Sequence, residues 1–329
     1  MMVKTNLIMS LSMVFAHGPK NRDLTLKVSA VSRAGHLPDG VSAKFVNYTV
    51  DSNVYEGYVA YPTTSSRSEL PAMVIVHQWY GLGEYEMHRA EEAAENGYYA
   101  FAIDVYGYGQ RATDNSEAGA LAGAARSDEA KLVMIAEGGV DQLKPGGVLE
   151  NEGPSINQSA IVSFGYCFGG GVLLMMGRDG TDLFGMSVFH ASFPDLTSGW
   201  SSPDVKVMAH HGQLDFAGDD GLNSLHDALT TGNVSVWQTA YYGNQAHGFS
   251  DFLNAAYDPL SASQSHDSAY AFFANTLALS DCQDSTSWYK KNDPSKNCAW
   301  VATFTKRCGV KGFDNSLASD ACQLSCGSC

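Results

Sequence analysis

The sequence predicts an α/β fold of three layers around a mostly parallel sheet, and three observations carry that expectation. Continuous apolar runs such as "PAMVIV", "YYAFAI" and "SAIVSFG" suit strands that are covered on both faces. Segments with helical spacing separate them, and the alternation of strand and helix holds over roughly 230 residues. An apolar share of 44% in 329 residues supplies material for a sizeable core.

Each element has its own signal. "AKFVNYTV" and "YEGYVAYP" alternate on either side of the turn-like "DSN", which predicts an antiparallel hairpin at a sheet edge. "PAMVIVHQWYG" is a buried strand ending in a glycine-bearing loop, and "YEMHRAEEAAENG" is a helix closed by Asn96-Gly97. "YYAFAIDVYG" is the next buried strand, and "EAGALAGAARSDEAKLVMIAEGGVDQL" is a helical region. "SAIVSFGYCFGG" is a strand running straight into the helix "GVLLMMG". "DLFGMSVFHASF", "VKVMAHHGQLD" and "VSVWQTAYYG" are further strands, "GLNSLHDALTTG" is a helix, and "ASQSHDSAYAFFANTLAL" closes the domain.

Charge and cysteine usage narrow the function classes. The formal charge is −15, from 35 acidic and 20 basic residues, with no basic cluster to hold phosphates, so nucleic acid is not an expected partner. The first 16 residues read as a signal peptide: Lys4 precedes an apolar run from Leu7 to Ala16, with Val14 and Ala16 small enough for a cleavage site. That run is too short to span a bilayer, and no later segment is apolar enough to do so. Residues 17–43 read as an N-terminal arm. Six of the seven cysteines fall within residues 280–329, a density that implies disulfides and an oxidising, secretory compartment.

The seventh, Cys167, stands in Gly165-Tyr166-Cys167-Phe168-Gly169. This is the form in which a nucleophile is thrust out on a sharp turn between strand and helix, where side chains two positions away would collide with neighbouring backbone. The sulfur then sits beside a helix N-terminus, which favours its reactive form, and the Phe168 amide is placed to bind an oxyanion. Such a nucleophile needs a base and an orienting carboxylate at the same edge of the sheet. Asp215 follows the strand "VKVMAHHGQLD", and His247 lies in the loop "YYGNQAHGFSD" after the last strand. Cys167, Asp215, His247 is the chain order expected of an α/β-hydrolase. Asp219, Asp220, His210 and His211 compete for these roles, and His190 falls at a strand end where it could line the pocket. Loops around residues 79–86, 106–115 and 190–202 are expected to shape that pocket.

"GYCFGG", "GQLD" and "QAHGFSD", in this order, resemble the Cys, Asp and His motifs of the dienelactone hydrolase family, and the similarity covers residues 44–279. The resemblance implies that Cys167 attacks an ester or lactone carbonyl, His247 carries the proton, Asp215 orients His247, and the amides of Trp79 and Phe168 form the oxyanion hole. It implies no metal and no cofactor. Two departures stand out. Gln78 occupies the place of a glutamate that interacts with the resting thiol, and "HGFSD" lacks an arginine that binds a substrate carboxylate. Arg111, in "YGYGQRATD", is either the counterpart of another carboxylate-binding arginine of the family or a solvated loop residue. Dienelactone is therefore not the expected substrate.

The ending "CQLSCGSC" together with the earlier "CQD" resembles the ShK-like (ShKT) toxin domain, for residues 280–329. That resemblance implies the pairs Cys282–Cys329, Cys298–Cys322 and Cys308–Cys326. The tail is expected to serve as a targeting module or to bind a protein or glycan partner. The functional expectation is a secreted hydrolase of small ester or lactone substrates, with a thioesterase or small-peptidase role on the same machinery. The rival is a non-catalytic secreted binding protein built on the hydrolase scaffold, for which Gln78 is the motivating residue.

Overall fold

A computed structural model describes residues 37–281, 287–302, 305–314 and 316–322. The segment read as a signal peptide, most of the arm and Cys282, Cys326 and Cys329 lie outside the described residues.

Eight strands form one sheet in the order β1-β2-β4-β3-β5-β6-β7-β8. The first two, β1 (Val41–Val50) and β2 (Asn53–Pro62), pair as an antiparallel hairpin, and β2 continues antiparallel onto β4 (Tyr99–Ile103). β3 (Leu70–Val76), β5 (Ile156–Tyr166), β6 (Gly185–Phe189), β7 (Lys206–Gly212) and β8 (Trp237–Tyr242) run parallel to their neighbours. This is the α/β-hydrolase-like, mostly parallel sheet that the sequence predicts. β1 starts at Val41, before the "AKF" of the sequence reading, because Val41 pairs with Pro62 at the open end of the hairpin.

Alternation along the strands divides the core into two layers. Ala72, Val74 and Val76 of β3 join α2 (Asn115–Arg126), α3 (Glu129–Asp141), α4 (Phe168–Asp179) and α5 (Gly218–Thr231) on one face. Met73 and Ile75 pack on the other face against Ala90, Ala93 and Ala94 of α1 (Glu84–Glu95) and against Phe272 and Phe273 of α6 (Pro259–Asp281). β3 is fully buried, as a continuous apolar run in a helix-covered parallel sheet must be. The helical region between β4 and β5 is two helices, broken where Asp128 leaves the helix and its side chain accepts the Lys131 amide.

The C-terminal region is small: β9 (Tyr289–Lys290) and β10 (Asp293–Asn297) pair, and two short helices, α7 (Cys298–Ala302) and α8 (Ala318–Ala321), follow. Trp288, Val301 and Ala318 pack around a Cys298–Cys322 disulfide, the pair that the sequence resemblance implied. Cys308 is also disulfide-bonded. Its implied partner Cys326 and the Cys282–Cys329 pair lie outside the described residues. Among the described residues no helix is long and apolar enough to cross a membrane.

Candidate active site

Cys167 occupies the junction between β5 and α4 with φ +52°, a backbone state that a non-glycine residue seldom takes. The turn is held by its amide, which donates to the Phe189 carbonyl at 3.0 Å, and by its own carbonyl, which accepts from Ser192 at 2.9 Å. A Cβ on Gly169 would lie 2.2 Å from the Val76 carbonyl oxygen, and one on Gly165 would lie 2.6 Å from that of Gly169. Glycine is therefore required on both sides of the elbow, as the sequence spacing predicts. Cys167 is a free cysteine of intermediate exposure, with Sγ 3.8 Å from Ser192 Oγ.

Asp215 and His247 come together from separate loops. The Leu214 amide donates to the Gln245 carbonyl at 2.8 Å, and Gly212 passes so close to Gln245 that a Cβ would sit 2.4 Å from its carbonyl oxygen. This seam brings His247 Nδ1 to 2.9 Å from Asp215 Oδ2, while Asp215 Oδ1 accepts from the Ala217 amide. Burial disfavours a charged His247, but the bond to Asp215 and the nearby Cys167 sulfur outweigh it and raise its pKa to about 9. Burial also works against the charged form of Asp215, yet the His247 contact wins and its pKa is lowered. His247 Nε2 is buried and bonded to no nitrogen or oxygen acceptor among the described residues, and the neighbouring group that acts on the ring besides Asp215 is the Cys167 sulfur. The exposed Phe216 ring lies 4.4 Å from the imidazole.

The other histidines separate by surroundings. His210 is buried between Tyr242 and Ser187 hydroxyls and stacked on Phe189, and burial lowers its pKa to about 3. His211 is buried with both ring nitrogens unpartnered among the described residues. His190 has φ +38°, joins Ser250 Oγ through Nε2 at 2.8 Å, and sets its ring 5.2 Å from that of His247. Burial first, then the His247 charge, holds it well below the ordinary histidine range. Asp219 bonds instead to the Tyr241 hydroxyl.

The main-chain N–H groups of Trp79 and Phe168 have no acceptor among the described residues, and the Trp79 carbonyl is tied to Tyr106. Gln78 turns from the elbow: its Nε2 donates to Asp251 Oδ2 at 2.9 Å and its amide to Glu86 Oε1 at 3.1 Å. Arg111 is engaged by Glu56, at 3.3 Å, and by Asp104, at 3.7 Å. Gln78, Trp79 and Arg111 line a cavity of about 530 Å³ that Cys167, Asp215 and His247 do not line. Its walls come from residues 78–86, 111–115 and 251–255, while the 190–202 loop meets the elbow itself, with Ser192 Oγ 3.8 Å from the Cys167 sulfur. Among the described residues no group of three or more His, Cys, Asp or Glu side chains could hold a metal ion.

Asp251, Glu86, Ser192 and Ser250 were not singled out by sequence reasoning. The available signal was an acid and a serine within "QAHGFSD", beside the histidine itself.

Solved structures share the architecture. A dienelactone-hydrolase-like promiscuous phosphotriesterase from metagenomic libraries superposes with a TM-score of 0.65 at 23% identity, over 72% of this chain and 99% of that one. An acylaminoacyl peptidase of Pyrococcus horikoshii gives 0.55 at 15% identity, over 73% of this chain and 42% of that one. No curated protein matches the sequence. The model of the dienelactone hydrolase family matches residues 55–277, from the second strand to the last helix of the sheet domain, and this chain is therefore a hydrolase belonging to that family.

Proposed function

We propose that the chain hydrolyses small carboxylic esters or lactones through a Cys167–His247–Asp215 triad and an acyl-enzyme. The observation that carries the reading is the His247–Asp215 hydrogen bond at 2.9 Å on an imidazole whose pKa is also raised by the neighbouring Cys167 sulfur. Acylation proceeds from the form in which the Cys167 proton has passed to His247. The Cys167 sulfur attacks the carbonyl carbon, and its oxygen takes the negative charge against the free amides of Trp79 and Phe168. As the tetrahedral centre collapses, the ester C–O bond breaks and His247 Nε2–H protonates the leaving alcohol oxygen. Water enters, neutral His247 takes its proton, and the hydroxide displaces the sulfur to release the acid and restore the pair. Asp215 keeps the ring oriented and stabilises its charge. Gln78 is bound to Asp251 and takes no proton, so His247 alone manages the thiol.

The test is hydrolysis of 4-nitrophenyl acetate by wild type and Cys167→Ala, with intact-mass detection of an acetyl group on Cys167. Equal slow rates and no adduct would leave the non-catalytic scaffold as the better account. We further propose export, supported by the apolar start and the Cys298–Cys322 disulfide. Secreted material should begin near His17, and an intact Met1 in the culture medium would contradict it.

A further inference from the structure

The cavity at Gln78 and Trp79 begins just beyond β3, whose Val76 lies opposite Gly165 of β5, so it opens one strand away from Cys167. Its charges are unbalanced. Glu84, Asp251 and Glu86, the last with its pKa raised to about 7 by burial, line it with one cation, Arg111, whose guanidinium is already held by Glu56, Asp104 and the carbonyls of Leu82 and Gln110. Asp251 is 3% exposed; Gln78 Nε2 and the Leu253 amide donate to it at 2.9 and 2.8 Å, and among the described residues no cation lies within ion-pair distance of it, so burial raises its pKa although these bonds and the more distant Arg89 charge work the other way. A buried carboxylate without a counter-ion is costly, and a ligand that brings the missing positive charge relieves that cost, whereas an anionic ligand adds to it. Trp79 and Tyr80, with rings 5.6 Å apart, line the same cavity and offer aromatic surface of the kind that receives alkylammonium groups.

We propose that this cavity selects substrates bearing an alkylammonium group over anionic ones, and that Asp251 sets the preference. The choice of an ester or lactone as the selected molecule rests on the hydrolase reading; the electrostatic preference does not.

Two measurements keep these apart. The first needs no turnover: the Cys167 thiol is modified with methanethiosulfonates carrying trimethylammonium-ethyl, methyl or sulfonato-ethyl groups, which form a disulfide with Cys167 and release methanesulfinate. The cationic reagent should react fastest and the sulfonate slowest. Asp251→Asn should lower the cation-to-anion rate ratio by about fivefold or more. Glu84→Gln, on the exposed rim, should lower it less, and Asp182→Asn, a remote exposed acid, should leave it unchanged. A ratio that Asp251→Asn and Asp182→Asn change equally would overturn the proposal, because it would report only the overall charge of the protein. If Asp251→Asn does not fold, Glu84→Gln against Asp182→Asn decides. The second measurement compares kcat/KM for 4-nitrophenyl butyrate and its 4-trimethylammonio and 4-sulfonato derivatives. Turnover without a cationic preference would refute the cavity assignment and leave the hydrolase intact. Inert esters with the thiosulfonate order preserved would refute the hydrolase and leave the assignment standing.

Discussion

Cys167 and His190 hold φ at +52° and +38°, while the other five non-glycine residues with positive φ among the described residues are Asp, Ser or Asn in turns. Strain of this kind persists where the surroundings over-determine it, and both residues end neighbouring strands at the same edge of the sheet. The cysteine was legible because strand, elbow and helix are consecutive in sequence, and Asp215 and His247 because each follows a strand of the same sheet. Ser192, Ser250 and Asp251 were not, since their roles arise from loops that meet only in the folded chain. Gly169→Ala places a methyl group against the Val76 carbonyl and should cost about 2–4 kcal/mol of stability by denaturant titration. His190→Phe keeps a ring against His247 but loses the Ser250 bond. We expect kcat for ester hydrolysis to fall about tenfold with KM little changed, as for a positioning residue. With the His247 pKa at about 9, acylation should decline as pH rises through that value, because the proton for the leaving group is lost. A rate that climbs through pH 9 would contradict the role of His247 as the acid that protonates the leaving group.

At the level of elements, apolar runs placed the buried strands well, because full burial leaves little room for other patterns. The helical region between β4 and β5 was legible as helical but its division was not, because the break is set by side-chain capping at Asp128. Asp114 caps α2 in the same way, accepting from the amides of Ser116 and Glu117. Asp114→Ala should therefore cost about 1 kcal/mol in a denaturation experiment, with catalysis unaffected. The cavity wall at 251–255 illustrates what periodicity does not encode. A loop without regular structure is held there by the Gln78–Asp251 bond and by Phe252 packed against Tyr85, His88 and Arg89.

For the whole molecule, the His247–Asp215 pair couples proton binding to folding. His247 has a folded pKa above its ordinary 6.5, so its stabilisation is complete below that value and is lost as pH rises through about 9. Asp215 has a lowered pKa, so its share is present above 3.8 and disappears as pH falls through its folded value. Thermal unfolding should therefore show a midpoint that drops between pH 6.5 and about 9 in wild type, and a flatter profile in Asp215→Asn. Cys298 and Cys322 are bonded to each other, whereas Cys167 lies outside any disulfide, a segregation already apparent from cysteine positions in the chain. That segregation makes the protein its own labelling scaffold. A fluorophore or nitroxide coupled to Cys167 would sit at a fixed strand–helix junction and report on ligand entry, with no engineered attachment point required.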